Sequence, residues 1–220
     1  MICATITEPV IENMADAANF SSADLVEIRL DCLESHTNLE KLQKISKPLI
    51  ATCMPASEGG KFLGGEEDRI HILFDAVKYA DYICLELSTK KDLRDRIIFE
   101  AHARDTKIIA TYHDYKKTPS AKEIKDILKK EKKSGADIAK VAFQANDYSD
   151  VMTLMNVLPD NDIGIPIIAV SMGEYGKISR ILGPLLGSYL TFAAPAKGQE
   201  AAPGQLTVEE LHTVFDILSR

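Results

Sequence analysis

The sequence has little of what membranes, nucleic acids and metals require. No apolar run approaches the roughly 18–20 residues that cross a bilayer. The stretch Met1-Ile2-Cys3-Ala4-Thr5 lacks the basic start and long apolar segment of a secretion signal and reads as a strand. Positive charge is in deficit. Against 33 Asp and Glu stand only 26 Lys and Arg, and the formal charge of −7 argues against a nucleic-acid or anionic-membrane partner. A local basic pocket stays open. The cysteines Cys3, Cys32, Cys53 and Cys84 form no Cys-x-x-Cys pair, and no Cys/His spacing resembles a zinc site, so no metal is expected. Three of them lie in apolar strand-like runs and Cys32 follows one. That pattern suggests reduced, mostly buried thiols in a cytoplasmic protein. There is no linker, low-complexity tract or obvious repeat, so residues 1–220 are expected to form a single domain.

Short β-rich runs alternate with amphipathic stretches. The runs are Ile2–Ile6, Leu25–Asp31, Pro48–Met54, Tyr82–Leu87, Lys107–His113, Ile138–Phe143, Pro166–Met172 and Tyr189–Ala193. Each is rich in Ile, Val, Leu or aromatic residues, as strands covered on both faces should be. Helical patterns over Glu66–Tyr79, Asp92–Arg104, Ser120–Ser134 and Thr207–Leu218 lie among them. Ser120 is an N-cap, Gly135 a helix stop, and Thr207-Val208-Glu209-Glu210 has the form of a capping box. Eight strands alternating with helices predict an α/β fold, a (β/α)8 TIM barrel. A doubly wound open sheet is the main rival, but no Gly-x-Gly-x-x-Gly follows the first strand.

In such a barrel alternate strand residues face inward, and chemistry sits at the carboxyl ends of the strands. Charges in the wrong place therefore carry information. In Leu25-Val26-Glu27-Ile28-Arg29-Leu30-Asp31 three charges occupy alternate positions. They form either a buried ion-pair network or the wall of a polar pocket. Lys140 sits inside the apolar run Ile138-Ala139-Lys140-Val141-Ala142-Phe143. Burial disfavours an ammonium and leaves an amine able to attack a carbonyl and form a Schiff base, and the bland alternative is a lysine snorkelling from a strand end. His113 ends the fifth run, where an imidazole can move protons or merely cap a strand. Glu58-Gly59-Gly60 follows the third strand on a loop whose glycines permit movement. Arg180, in a helix after the seventh strand, suits a carboxylate, and Ala202-Pro203-Gly204-Gln205 forms a loop after the eighth.

Together, Glu27-Ile28-Arg29-Leu30-Asp31, Glu58-Gly59-Gly60, Tyr112-His113-Asp114, Ala139-Lys140-Val141, Ser171-Met172-Gly173, Ser179-Arg180 and Ala202-Pro203-Gly204-Gln205 resemble type I 3-dehydroquinate dehydratase, the Schiff-base enzyme of the shikimate pathway. The resemblance runs nearly end to end. It implies a (β/α)8 barrel, commonly homodimeric, with no cofactor and 3-dehydroquinate as small-molecule substrate. It also implies catalytic roles for Lys140, His113 and Glu58. Arg180 would hold the substrate carboxylate, and Glu27 and Arg29 its ring hydroxyls. Gln205 and the Ala202 backbone would close the pocket, with Met172 and Phe192 as apolar walls. Four positions depart from the family pattern: Met54 stands for an arginine, Cys84 for an aspartate, Val170 for a methionine and Ala201 for a serine. Two rivals are a lysine-dependent aldolase on the same barrel and a binding protein derived from the enzyme.

Overall fold

The computed structural model describes all 220 residues, Met1–Arg220. Eight parallel strands form one sheet in the order β7-β6-β5-β4-β3-β2-β1-β8, wrapped into a nearly closed barrel. They are β1 (Ile2–Ile6), β2 (Leu25–Arg29), β3 (Leu49–Thr52), β4 (Tyr82–Glu86), β5 (Lys107–Asp114), β6 (Ile138–Gln144), β7 (Ile167–Met172) and β8 (Thr191–Ala193). Seven helices cover it: α1 (Ile11–Phe20), α2 (Glu66–Ala76), α3 (Lys91–His102), α4 (Ala121–Lys133), α5 (Tyr148–Met155), α6 (Ser179–Leu185) and α7 (Val208–Leu218). Between β2 and β3 the covering helix is replaced by short 3₁₀ turns, Leu30–Cys32 and Leu39–Lys44. No helix is long and apolar enough to cross a membrane.

Each predicted strand is present, with five ends moved by one residue and three by two; the third strand ends at Thr52 rather than Met54. The second strand ends at Arg29, because residues 30–32 turn away as a 3₁₀ helix, so Asp31 does not continue the alternation. The eighth shrinks to three residues. Its expected first residue, Tyr189, instead donates its backbone N–H to Ile167 O at 2.8 Å across the β7–β8 seam. The predicted capping box at Thr207 forms, accepting from Glu210 N, and the predicted N-cap Ser120 accepts from Glu123 N and completes a capping box of its own.

A short repeat underlies the barrel floor. Ala23-Asp24-Leu25, Ala80-Asp81-Tyr82 and Ala136-Asp137-Ile138 lead into β2, β4 and β6. Each aspartate accepts the backbone N–H at the start of the preceding strand: Ile2 at 2.7 Å, Leu49 at 2.8 Å and Ile108 at 2.8 Å. At the fourth position Ser188 Oγ lies 3.4 Å from Ala169 N. Strands are thus tied in pairs by a side chain that supplies the acceptor the ladder lacks at its end.

Period two divides the core. Outward residues such as Val26, Ile28 and Leu30 pack under the helices in a cluster of 32 residues, and Ala139, Val141 and Phe143 pack under α4 and α5 in one of 14. Inward residues form a third cluster of 12, including Leu25, Ile50, Ile109, Ile138, Ile168 and Leu190. These six plug the amino-terminal half of the barrel. The next inward positions up the same strands carry the site.

Candidate active site

One step along β2 from Leu25, Glu27 is buried between two hydroxyls. Thr5 donates to it at 3.0 Å and Thr52 at 2.8 Å. One further step up, Arg29 is gripped by Asp31, with Nε at 2.8 Å and Nη2 at 2.6 Å from its two oxygens. Both sequence alternatives are therefore realised, since Arg29–Asp31 is a buried ion pair while Glu27 and Arg29 also line a polar pocket. The paired Asp31 carboxylate is held below the ordinary range by Arg29 and by backbone N–H groups against the opposing effect of burial.

Lys140 is 5 % exposed, and its Nζ lies 4.2 Å from the centroid of the Phe192 ring. No carboxylate comes within ion-pair distance of it. A cation–π contact is a weak substitute for a counter-ion, so the amine stays available to a ligand. On the neighbouring strand, in register two residue pairs further up, is His113. Its Nδ1 lies 3.1 Å from Glu58 Oε2, and Glu58 Oε1 accepts from Ser88 Oγ at 2.5 Å. A carboxylate can only accept here, so Nδ1 carries the proton and Nε2 is left as the basic nitrogen. Burial lowers the His113 pKa below the imidazole value. The Glu58 bond opposes that shift and the Lys140 charge adds to it. The ring is therefore neutral at pH 7.

Arg180, at the start of α6, is the barrel's unanswered charge. It is 2 % exposed and touches only backbone carbonyls, Phe192 O at 3.3 Å and Pro203 O at 3.5 Å, and its Nε has no partner. Burial pulls its pKa down to about 10, so it remains a cation at neutral pH. A buried guanidinium without a carboxylate calls for an anion from outside. Gln205 accepts from Ala201 N at 2.7 Å and donates to Thr5 Oγ1 at 3.4 Å, tying the loop after β8 to β1.

A cleft of about 470 Å³, open to solvent, joins these groups. Glu27, Arg29, His113, Lys140, Met172, Arg180, Phe192, Ala202 and Gln205 all line it. Glu58 does not, since it sits behind His113 and is 9 % exposed. Met54, Val170 and Ala201 line the same space, whereas Cys84 lies in the apolar interior, its thiol pushed up to about 12 by burial. All four cysteines are free thiols.

Three groups escaped the sequence reading. Tyr115 lines the cavity with its ring stacked on His113, centroids 6.2 Å apart. Its place two residues beyond His113 was the available signal. Ser88 is the second partner of Glu58. Glu86, inward on β4, is held at 2.5 Å by Arg69 of α2, which also bonds Cys53 O and Thr89. Burial raises the Glu86 carboxyl to about 7 against the pull of Arg69, with Glu58 adding to the rise.

The type I 3-dehydroquinase family profile matches residues 2–220. The chain belongs to the type I 3-dehydroquinase family. A 3-dehydroquinate dehydratase of Methanococcus vannielii is 39 % identical over 99 % of this chain and 100 % of its own. That of Methanosarcina barkeri is 36 % identical, covering 99 % of this chain and 94 % of its own. A crystal structure of type I 3-dehydroquinate dehydratase from Clostridium difficile, with covalent modified comenic acid, superposes with a TM-score of 0.88. It is 29 % identical, over 99 % of this chain and 91 % of that one.

Proposed function

We propose that this chain is a 3-dehydroquinate dehydratase that converts 3-dehydroquinate reversibly into 3-dehydroshikimate through a Schiff base on Lys140. The observation that carries the reading is one cavity holding an unpaired buried amine, a neutral imidazole backed by a carboxylate, and an unpaired buried guanidinium. Arg180 binds the substrate carboxylate. Glu27 and Arg29 take the ring hydroxyls, Gln205 and the Ala202 backbone close the pocket, and Met172 and Phe192 wall the ring.

Lys140 Nζ, having given up its ammonium proton, adds to the C3 ketone, and loss of water leaves an iminium. The iminium draws electron density from C2, and His113 Nε2 removes the C2 proton to give an enamine. The enamine electrons return to form the C1–C2 double bond as the C1 hydroxyl leaves, protonated by the imidazolium just formed. Water then hydrolyses the iminium, releasing the enone and regenerating Lys140. Glu58 orients His113 and balances its charge during transfer. No metal or organic cofactor enters any step. We further propose that the chain works as a single catalytic domain and a homodimer in the cytoplasm, at the third step of chorismate and aromatic amino-acid biosynthesis.

The test mixes purified protein with 3-dehydroquinate and follows the enone absorbance, with a parallel borohydride-quenched sample read by peptide mass spectrometry. Absorbance growth with an adduct on Lys140 is expected, and Lys140→Ala should lose both. An adduct of unchanged amount in Lys140→Ala would defeat the nucleophile assignment. Neither absorbance nor adduct in the unaltered protein would move the reading to another carbonyl substrate or to binding alone.

A further inference from the structure

The loop that carries Glu58 follows β3, with one foot at Met54 and the other at Lys61. Its ends are pinned together, since Pro55 and Phe62 form a bridge and Ala56 N donates to Phe62 O at 3.1 Å. Between them the chain turns tightly, with Glu58 N and Gly60 N both donating to Pro55 O at 3.0 Å. Gly59 takes φ +82°, and a Cβ there would come 2.5 Å from the Tyr115 ring. A Cβ on Gly60 would come 2.0 Å from Met54 O. The turn is therefore packed between its own foot and Tyr115.

What fixes this turn to the barrel lies 23 and 30 residues upstream of its two feet. Asp31 Oδ1 accepts from Met54 N at 3.2 Å and Oδ2 from Lys61 N at 2.9 Å. The same two oxygens hold Arg29 through Nε and Nη2. The Asp31 side chain is wholly buried and all its bonds are spent on these two tasks. Arg29 Nη1 makes no bond within the chain, and Arg29 lines the cavity.

We propose that Asp31 is a positioning residue that clamps both feet of the Glu58 loop to Arg29, so that the group contacting substrate and the group backing His113 are set by one carboxylate. The inference rests on the reading of Glu58 and His113 as the proton relay. Asp31 touches no reacting atom. It acts by holding Glu58 where the bond to His113 forms. With the charge removed, both backbone donors and the Arg29 guanidinium lose a strong acceptor at once.

The test uses Asp31→Asn, which keeps shape and loses charge, and Lys61→Pro, which removes one donor and leaves Asp31 and Arg29 intact. Backbone hydrogen exchange over residues 54–62 is followed without substrate and should quicken about tenfold or more in each variant. With 3-dehydroquinate, kcat should fall about 100-fold in Asp31→Asn, more than KM rises, because misplaced catalytic groups cost that much. The acidic limb of the kcat profile should move to lower pH, since Glu58 holds the imidazole up and its loosening lets His113 fall. Borohydride should still trap an adduct on Lys140. Unchanged exchange in both variants would overturn the clamp. So would faster exchange with an unmoved acidic limb and unmoved kcat, which would make Asp31 a structural tie only. If the unaltered protein neither turns over nor traps dehydroquinate, the functional reading fails, and the exchange arm still decides the clamp.

Discussion

The two halves of the barrel interior are built on the same strands and differ in every property that matters. In the lower half, Leu25, Ile50, Ile109, Ile138 and Ile168 come from five strands and Leu190 leads into a sixth, and none is more than 3 % exposed. Two residues further along those strands stand Glu27, Thr52, Thr111, Lys140, Val170 and Phe192. Toward this upper end polar atoms remain unpaired, among them Arg180 Nε and Glu86 Oε1. The lower half gains free energy by burying apolar surface, whereas the upper half keeps charged groups out of water for a ligand to complete. The rigidity of the plug allows those groups to be held without partners.

Substituting His113 by Ala should test the upper half with the largest effect. Elimination should slow by about 10²–10⁴-fold while the Lys140 imine still forms, as borohydride trapping in single turnovers would reveal. Loss of trapping together with turnover would mean that His113 also serves imine formation. In the lower half, Ile50→Ala should cost about 2–5 kcal/mol in urea unfolding, with kcat per folded molecule little changed. A parallel fall in kcat would show that plug and site are not separable.

A smaller effect is expected outside the barrel. Glu131 on α4 is fully buried, with neither carboxylate oxygen bonded. Burial lifts its pKa well above the carboxylate value. Its folded value exceeds its unfolded one, so stability falls as pH rises from the unfolded value towards the folded one. Glu131→Leu should therefore stabilise by about 1–3 kcal/mol at pH 7 and by less at pH 4, in urea titrations at both values. A gain independent of pH would show that the carboxyl finds a partner when ionised.

The barrel was legible because its signal is local. Period-two runs of β-branched residues and helix stops such as Gly135 mark the elements wherever they occur. Two helices were not assigned because their signals are faint. Helix α1 has no side-chain cap at Val10, and α5 is only eight residues long, with its Asp147 cap set among other polar residues. The Ala-Asp repeat escaped because two residues recurring over more than fifty positions look like chance until their hydrogen bonds are seen. Misplaced charge picked out Glu27, Arg29 and Lys140, and resemblance added the role of Glu58. Nothing in the local sequence pointed to Ser88 as its second partner, or to Asp31 as the tie between Arg29 and the loop.

By itself the sequence determined which residues face inward, since side-chain alternation follows from backbone geometry within a few residues. It determined too that a lysine and a histidine would stand on adjoining strands. Tertiary structure alone decided their partners. Glu58 meets His113 across 55 residues, and Gln205 meets Thr5 across 200. The first needs strands β3 and β5 held on either side of β4, and the second exists only when the sheet curls round to bring β8 beside β1. That closure is a property of all eight strands packing together, and no single stretch of sequence encodes it.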